Sequence, residues 1–202
     1  MKFSTFLRLV LLCVCLLPGI SAAQQTILIF GDSLSAAYGI PREAGWVSLL
    51  QQELQRSHPQ YQVINASISG ETAAGGRRRI AAALRQHRPN IVVLELGAND
   101  GLRGTPIKEV ESNLGMLIET SRKAKAKVLL LGMKLPPNYG PDYTANFAAL
   151  YPTLAQRYRV ALVPFFLESV MPEQFQADNL HPIAAAQAQI LGTILTKLKP
   201  LL

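Results

Sequence analysis

Short apolar runs rich in β-branched residues alternate along this chain with longer amphipathic stretches, and that alternation limits the possible folds more than any other feature. The first run, Thr26-Ile27-Leu28-Ile29-Phe30, ends at Gly31 and reads as a buried strand. A helix is predicted from about Glu43 to Ser57, then a strand over Tyr61–Ala66 and an alanine-rich helix from Ala74 to His87, stopped by Pro89. The third strand is Ile91–Leu96. The helix predicted over Ile107–Lys123 carries Val110, Leu114, Leu117 and Ile118 at helical spacing and leads into a strand at Lys127–Leu131. Tyr143–Tyr158 reads as a further helix, Arg159–Val163 as the fifth strand, and Ile183–Leu198 as the closing helix. Repeated β-α units demand right-handed crossovers, which lay helices on both faces of a parallel sheet. The expectation is therefore a three-layer α/β fold with its site at the carboxyl ends of the strands. No Pro/Gly/Ser-rich linker, low-complexity tract or fixed-period repeat breaks the pattern, so residues 24–202 are expected to form one domain.

Residues 1–23 read differently. Lys2 and Arg8 precede the uncharged run Leu9–Leu17, and Pro18-Gly19-Ile20-Ser21-Ala22-Ala23 follows, the pattern of a secretory signal peptide cut before Gln24. Nine uncharged residues are too few to span a bilayer, which takes about 20. No stable membrane insertion is expected once the leader is removed, and a periplasmic location follows. Both cysteines, Cys13 and Cys15, fall inside the leader. The exported chain then has no disulfide, no thiol nucleophile and no thiolate zinc site. It keeps 18 basic against 13 acidic residues, a mild surplus. The densest basic cluster, Arg77-Arg78-Arg79, has no aromatic residues interleaved and reads as a solvated helix face, so nucleic acid is not an expected partner.

Three strands end in polar residues set among glycines: Gly31-Asp32-Ser33-Leu34-Ser35, Ser67-Ile68-Ser69-Gly70, and Gly97-Ala98-Asn99-Asp100-Gly101. In a parallel sheet all three converge on one edge. Near the carboxyl terminus, Asp178-Asn179-Leu180-His181-Pro182 places a carboxylate and an imidazole three residues apart, able to meet across a turn. A serine hydroxyl is a poor nucleophile at neutral pH. It needs an imidazole to take its proton and a carboxylate to hold that imidazole in the right tautomer. Ser33, His181 and Asp178 suit those roles, and the N–H groups of Ser33 and Gly70 with the Asn99 amide suit an oxyanion hole.

These blocks, in this order and spacing, resemble the four conserved blocks of the SGNH (GDSL-type) hydrolases, and the match spans essentially all of residues 24–202. Asn65-Ala66-Ser67-Ile68-Ser69-Gly70, Leu94-Glu95-Leu96-Gly97, Asn99-Asp100-Gly101-Leu102-Arg103-Gly104, Pro137-Asn138-Tyr139-Gly140 and Pro164-Phe165-Phe166 look like that family's thioesterase I, protease I and lysophospholipase L1 branch. The resemblance implies a five-stranded parallel sheet in a flavodoxin-like order 2-1-3-4-5 and a serine esterase, and a monomer is expected. That enzyme would act on aryl esters, lysophospholipids and acyl thioesters, with no metal and no organic cofactor. It implies Ser33 as nucleophile, Asp178 and His181 as its catalytic partners, Gly70 and Asn99 as oxyanion donors, and Leu102, Arg103, Leu135 and Pro136 as substrate-binding residues. Ala98, and Asn179-Leu180 inside the final block, depart from some members of the branch.

Other residues have plainer readings. Leu34, Ile68, Leu102, Leu135, Phe165 and Phe166 are acyl-pocket candidates, about half of which any α/β core would need anyway. Trp46 reads as packing, and His58 and His87 as helix-end residues. Glu95 and Asp100 receive no chemical role. Two competing readings stand beside the esterase: a carbohydrate deacetylase on the same triad, with a shallow polar site, and a catalytically silent acyl-binding protein.

Overall fold

The computed structural model describes residues 24–202; the predicted leader lies outside the described residues. Five strands, β1 (Gln25–Gly31), β2 (Tyr61–Asn65), β3 (Ile91–Glu95), β4 (Lys127–Leu131) and β5 (Ala161–Val163), form one parallel sheet in the order β2-β1-β3-β4-β5. Six α-helices connect or follow them: α1 (Trp46–Ser57), α2 (Ala73–His87), α3 (Ala98–Leu102), α4 (Ile107–Lys123), α5 (Pro141–Tyr158) and α6 (Gln187–Leu198). α1 and α6 pack together on one face, while α2, α4 and α5 cover the other. Central strands buried on both sides are continuous apolar runs for that reason. Ile27, Leu28, Ile29 and Phe30 are fully buried, as are Val92, Val93 and Leu94.

Element ends shift where backbone chemistry overrides the apolar pattern. Gly45 adopts an extended conformation, so a short 3-10 turn at Arg42–Ala44 precedes α1 and the helix expected from Glu43 starts at Trp46. The closing helix likewise starts at Gln187, after a 3-10 turn over Ala184–Ala186. Arg159, left-handed at φ 50°, caps α5 and delays β5 to Ala161. α3, only five residues long, carries Asn99 and Leu102 just beyond β3. The amino end of α2 is held twice, by the Thr72 side chain accepting from the Gly75 N–H and by Asp100 Oδ2 accepting from the Ala73 N–H at 2.8 Å. Asp100 is thus a structural cap.

Arg79 departs from the solvated face expected of its cluster. Arg77 and Arg78 are exposed, but the turn of the helix brings Arg79 onto the side of Gly75, Gly76 and Ile80. Its guanidinium lies 3.8 Å over the Phe30 ring, pairs with Glu71 Oε2 at 2.6 Å, and donates to the Ala66 carbonyl at 2.7 Å. Trp46 is buried in the core, as expected, and His58 and His87 lie at the carboxyl ends of α1 and α2.

The strand order reverses between β1 and β3, which opens a crevice at their carboxyl ends. Register places Gly31 beside Glu95. A Cβ on Gly31 would meet Glu95 Oε2 at 2.5 Å and Ser35 Oγ at 2.9 Å, so only glycine admits the Glu95 side chain there.

Candidate active site

Ser33 leaves the end of β1 on a tight turn. Asp32 Oδ1 accepts from the Leu34 N–H at 3.0 Å, and the carbonyls of Asp32 and Ser33 accept from the N–H groups of Ala36 and Tyr38. The turn pushes the Ser33 side chain into the crevice, where His181 Nε2 lies 2.8 Å from its Oγ. Nδ1 of His181 lies 2.7 Å from Asp178 Oδ2. A second turn makes that last contact possible. Asp178 Oδ1 accepts from the N–H groups of Leu180 (2.9 Å) and His181 (3.0 Å) around Asn179, left-handed at φ 56°.

Burial raises the Asp178 carboxyl, but the N–H groups of His181 and Leu180 and the imidazole outweigh it and bring the group down to about 2. A depressed carboxylate contributes stability that is complete above its unfolded value near 4 and is lost as pH falls through about 2. Wild type and Asp178→Asn are therefore expected to differ in melting temperature at pH 6 and to converge below pH 2 in an acid titration followed by circular dichroism. A difference that persisted below pH 2 would place the effect elsewhere.

Three further contacts fix this arrangement, and sequence reasoning missed the residues that make them. The Tyr38 ring lies against the His181 imidazole, centroids 4.5 Å apart. Gln176 clasps the loops together: its N–H donates to the His181 carbonyl at 2.7 Å, and its Nε2 donates to the Tyr38 carbonyl at 2.9 Å. Neither residue sits in a motif. Only the folded loops bring them to the site.

The oxyanion candidates are not equivalent. No acceptor among the described residues takes the N–H of Ser33 or of Gly70, so both are free to donate. Gly70 has φ +77°, and nothing lies within 4 Å of where its Cβ would stand; glycine is required there for its backbone angle, not for space. Asn99 lines the crevice, yet its amide hydrogens are already engaged, by Asp32 Oδ2 at 3.0 Å and the Glu71 carbonyl at 3.0 Å. It donates to a third acceptor only by loosening one of these.

Beside the serine opens a mainly apolar cleft of about 140 Å³. Leu102, Leu135 and Pro136 line it as expected, with Leu34 and Phe165. Arg103 does not. It is exposed, and its Nη2 donates to the Gly70 carbonyl at 3.1 Å, fastening the loop that carries the free N–H. Phe166 is fully buried in the core and Ile68 is 51% exposed, so neither belongs to the cleft wall. Met133, Leu167 and Leu180 complete the wall, and Lys134 at its edge sets its ammonium 4.9 Å over the Phe165 ring. Met133 and Lys134 follow β4 as Ser33 follows β1, a signal that position along a parallel sheet could have supplied.

Beneath the serine lie two carboxyl groups, both inaccessible to solvent. Burial is the main cause that lifts Asp32 to about 6, offset in part by bonds from Leu34, Glu95 and Asn99. Burial and the neighbouring Asp32 charge push Glu95 well above the ordinary range. Glu95 Oε2 accepts from Ser35 Oγ at 2.5 Å and from the Asp32 N–H at 3.2 Å, while Oε1 has no partner.

Comparison with known proteins identifies the family. Residues 29–189 match the GDSL-like lipase/acylhydrolase family. Esterase TesA of Pseudomonas aeruginosa is 50% identical over 183 residues, covering 90% of this chain and 91% of that protein. Thioesterase 1/protease 1/lysophospholipase L1 of Escherichia coli K12 is 42% identical over 205 residues, covering 100% of this chain and 97% of that one. The crystal structure of TesA superposes with a TM-score of 0.86 at 49% identity, covering 88% of this chain and 100% of the other. Family, strand order and close relatives agree: this chain belongs to the GDSL-like lipase/acylhydrolase family.

Proposed function

We propose that the protein is a serine esterase that hydrolyses aryl esters, lysophospholipids and acyl thioesters through an acyl-enzyme on Ser33. The observation that carries this reading is the continuous chain Asp178–His181–Ser33, with links of 2.7 and 2.8 Å, opening directly onto an apolar cleft. Ser33 Oγ attacks the acyl carbonyl carbon, and its proton passes to His181 Nε2. The N–H groups of Ser33 and Gly70 receive the negative charge on the carbonyl oxygen, joined by Asn99 as its bond to the Glu71 carbonyl loosens. Collapse breaks the bond to the leaving alkoxide or thiolate, which takes the proton from His181. Water then attacks the acyl-enzyme, gives its proton to His181, and Ser33 leaves with that proton as the carboxylic acid forms. Asp178 holds the imidazole throughout.

The leader reading of residues 1–23 puts the enzyme in the periplasm. No helix among the described residues is long and apolar enough to cross a membrane. Export makes lysophospholipids and other esters more accessible substrates than intracellular thioesters.

Chain length tests the reading. With p-nitrophenyl esters from acetate to palmitate, kcat/KM is expected to rise from acetate into the medium chains, since the cleft wall of Leu102, Leu135 and Phe165 is apolar. Each buried methylene is worth up to about 0.8 kcal/mol, close to fourfold. Turnover confined to acetate would favour the carbohydrate deacetylase instead.

A further inference from the structure

Asp32 and Glu95 are both fully buried, and neither makes an ion pair among the described residues. Two ionised carboxylates side by side in such a place would combine desolvation with like-charge repulsion. The hydrogen-bond pattern offers a resolution. Both donors that reach Glu95, Ser35 Oγ and the Asp32 N–H, bond to Oε2 and leave Oε1 without one. Asp32 receives donors on both oxygens, Leu34 N–H on Oδ1 and Asn99 Nδ2 on Oδ2. The Asp32 N–H bond to Glu95 Oε2 at 3.2 Å sets the two side chains next to each other, and each carboxyl bears on the other's ionisation. A proton on Glu95 Oε1 turns the oxygen that lacks a donor into one, with the Asp32 carboxylate as its neighbour.

We infer that Glu95 is a positioning residue for the hydrolysis: as a neutral acid it shares its proton with the Asp32 carboxylate, whose retained charge anchors the Asn99 amide beside Ser33. This inference rests on the esterase reading above and adds to it a part that no motif carries. Asn99 has to release one of its two acceptors when an oxyanion forms. A bond to a carboxylate is roughly twice as strong as one to a carbonyl. With Asp32 ionised, the Glu71 carbonyl is the acceptor released, and the amide pivots about a fixed point. With Asp32 neutral, nothing ranks the two. The other groups facing the pair are Ser35 on the first turn, Tyr151 from α5, whose hydroxyl donates to the Leu96 carbonyl at 3.2 Å, and His181 across the crevice. None of them supplies a permanent positive charge, so the shared proton is what lets one carboxylate remain.

The test combines kinetics with infrared spectroscopy on wild type, Glu95→Gln and Glu95→Ala. Wild type at pH 7 is expected to show the carbonyl stretch of a protonated carboxyl group, and Glu95→Gln to lack it. Glu95→Gln keeps a neutral donor toward Asp32, so its kcat is expected to stay within about threefold of wild type. Glu95→Ala is expected to lose about 10²-fold in kcat with KM little changed, the signature of an oxyanion donor out of place. The inference is overturned if wild type shows no protonated carboxyl at pH 7, if the band survives in Glu95→Gln, or if Glu95→Ala turns over like wild type. Should Glu95→Ala not fold, the band and the Glu95→Gln kinetics decide. A wild type inactive on every ester would overturn the esterase reading, while the infrared comparison still reports where the proton lies.

Discussion

Ser33→Ala is expected to lower kcat on p-nitrophenyl esters by about 10⁴-fold or more, with the melting temperature little changed. The hydroxyl is partly exposed, and its hydrogen bond is to His181 at 2.8 Å, so its loss leaves no buried group without a partner. Catalysis falls for a different reason. Without Oγ the proposed acyl-enzyme cannot form, which would leave His181 to activate water directly on a substrate held by the proposed oxyanion donors alone. Stopped assays with purified wild type and variant, checked by circular dichroism, measure both quantities. Turnover that survived the substitution would remove Ser33 from the reaction. A wild type that bound acyl chains but hydrolysed nothing would point to the silent acyl-binding protein.

The largest expected loss of stability follows Phe147→Ala. Phe147 is fully buried, meets Tyr151 edge-on at a centroid distance of 5.7 Å, and underlies α3 so closely that a Cβ on Gly101 would stand 2.8 Å from its ring and 2.7 Å from Leu135. Truncating such a side chain costs about 3–5 kcal/mol, because packed surroundings collapse only in part. In a domain of this size that corresponds to a fall in melting temperature of roughly 10 °C. Activity should suffer too, since Asn99 and Leu102 sit on the helix that loses its support. Differential scanning calorimetry of the variant decides the matter; a shift of one or two degrees would mean that the space refills.

The strands were legible because a parallel sheet buries both faces and so writes itself as uninterrupted apolar runs, as in Ile27–Phe30 and Val92–Leu94. The proximity of Ser33, His181 and Asp178 was legible because the chemistry proposed for them needs particular side chains beside particular turns. What escaped depends on distance across the fold. Glu95 looked like a strand residue without a task, and only the Gly31–Glu95 register shows it reaching beneath the serine. Arg103 sits in a motif that reads as substrate-binding, yet the length of its side chain carries it to the Gly70 carbonyl. Arg79 was hidden by its neighbours: three consecutive arginines point in different directions on a helix, and only one of them meets Phe30. Helix starts were misplaced where Gly45 and the turn at Ala184–Ala186 set the backbone.

Ser33 and His181 lie 148 residues apart in sequence, and the Gln176 clasp that seats the His181 loop on the Tyr38 loop is made by a segment nearly as distant. A chain still emerging from synthesis holds Ser33 long before His181 exists beside it. If the proposed mechanism holds, partly built or partly opened forms are chemically inert, and cutting of acyl bonds starts only when the final segment has docked. Under the proposed mechanism, delay is built into the connectivity and needs no separate inhibitor.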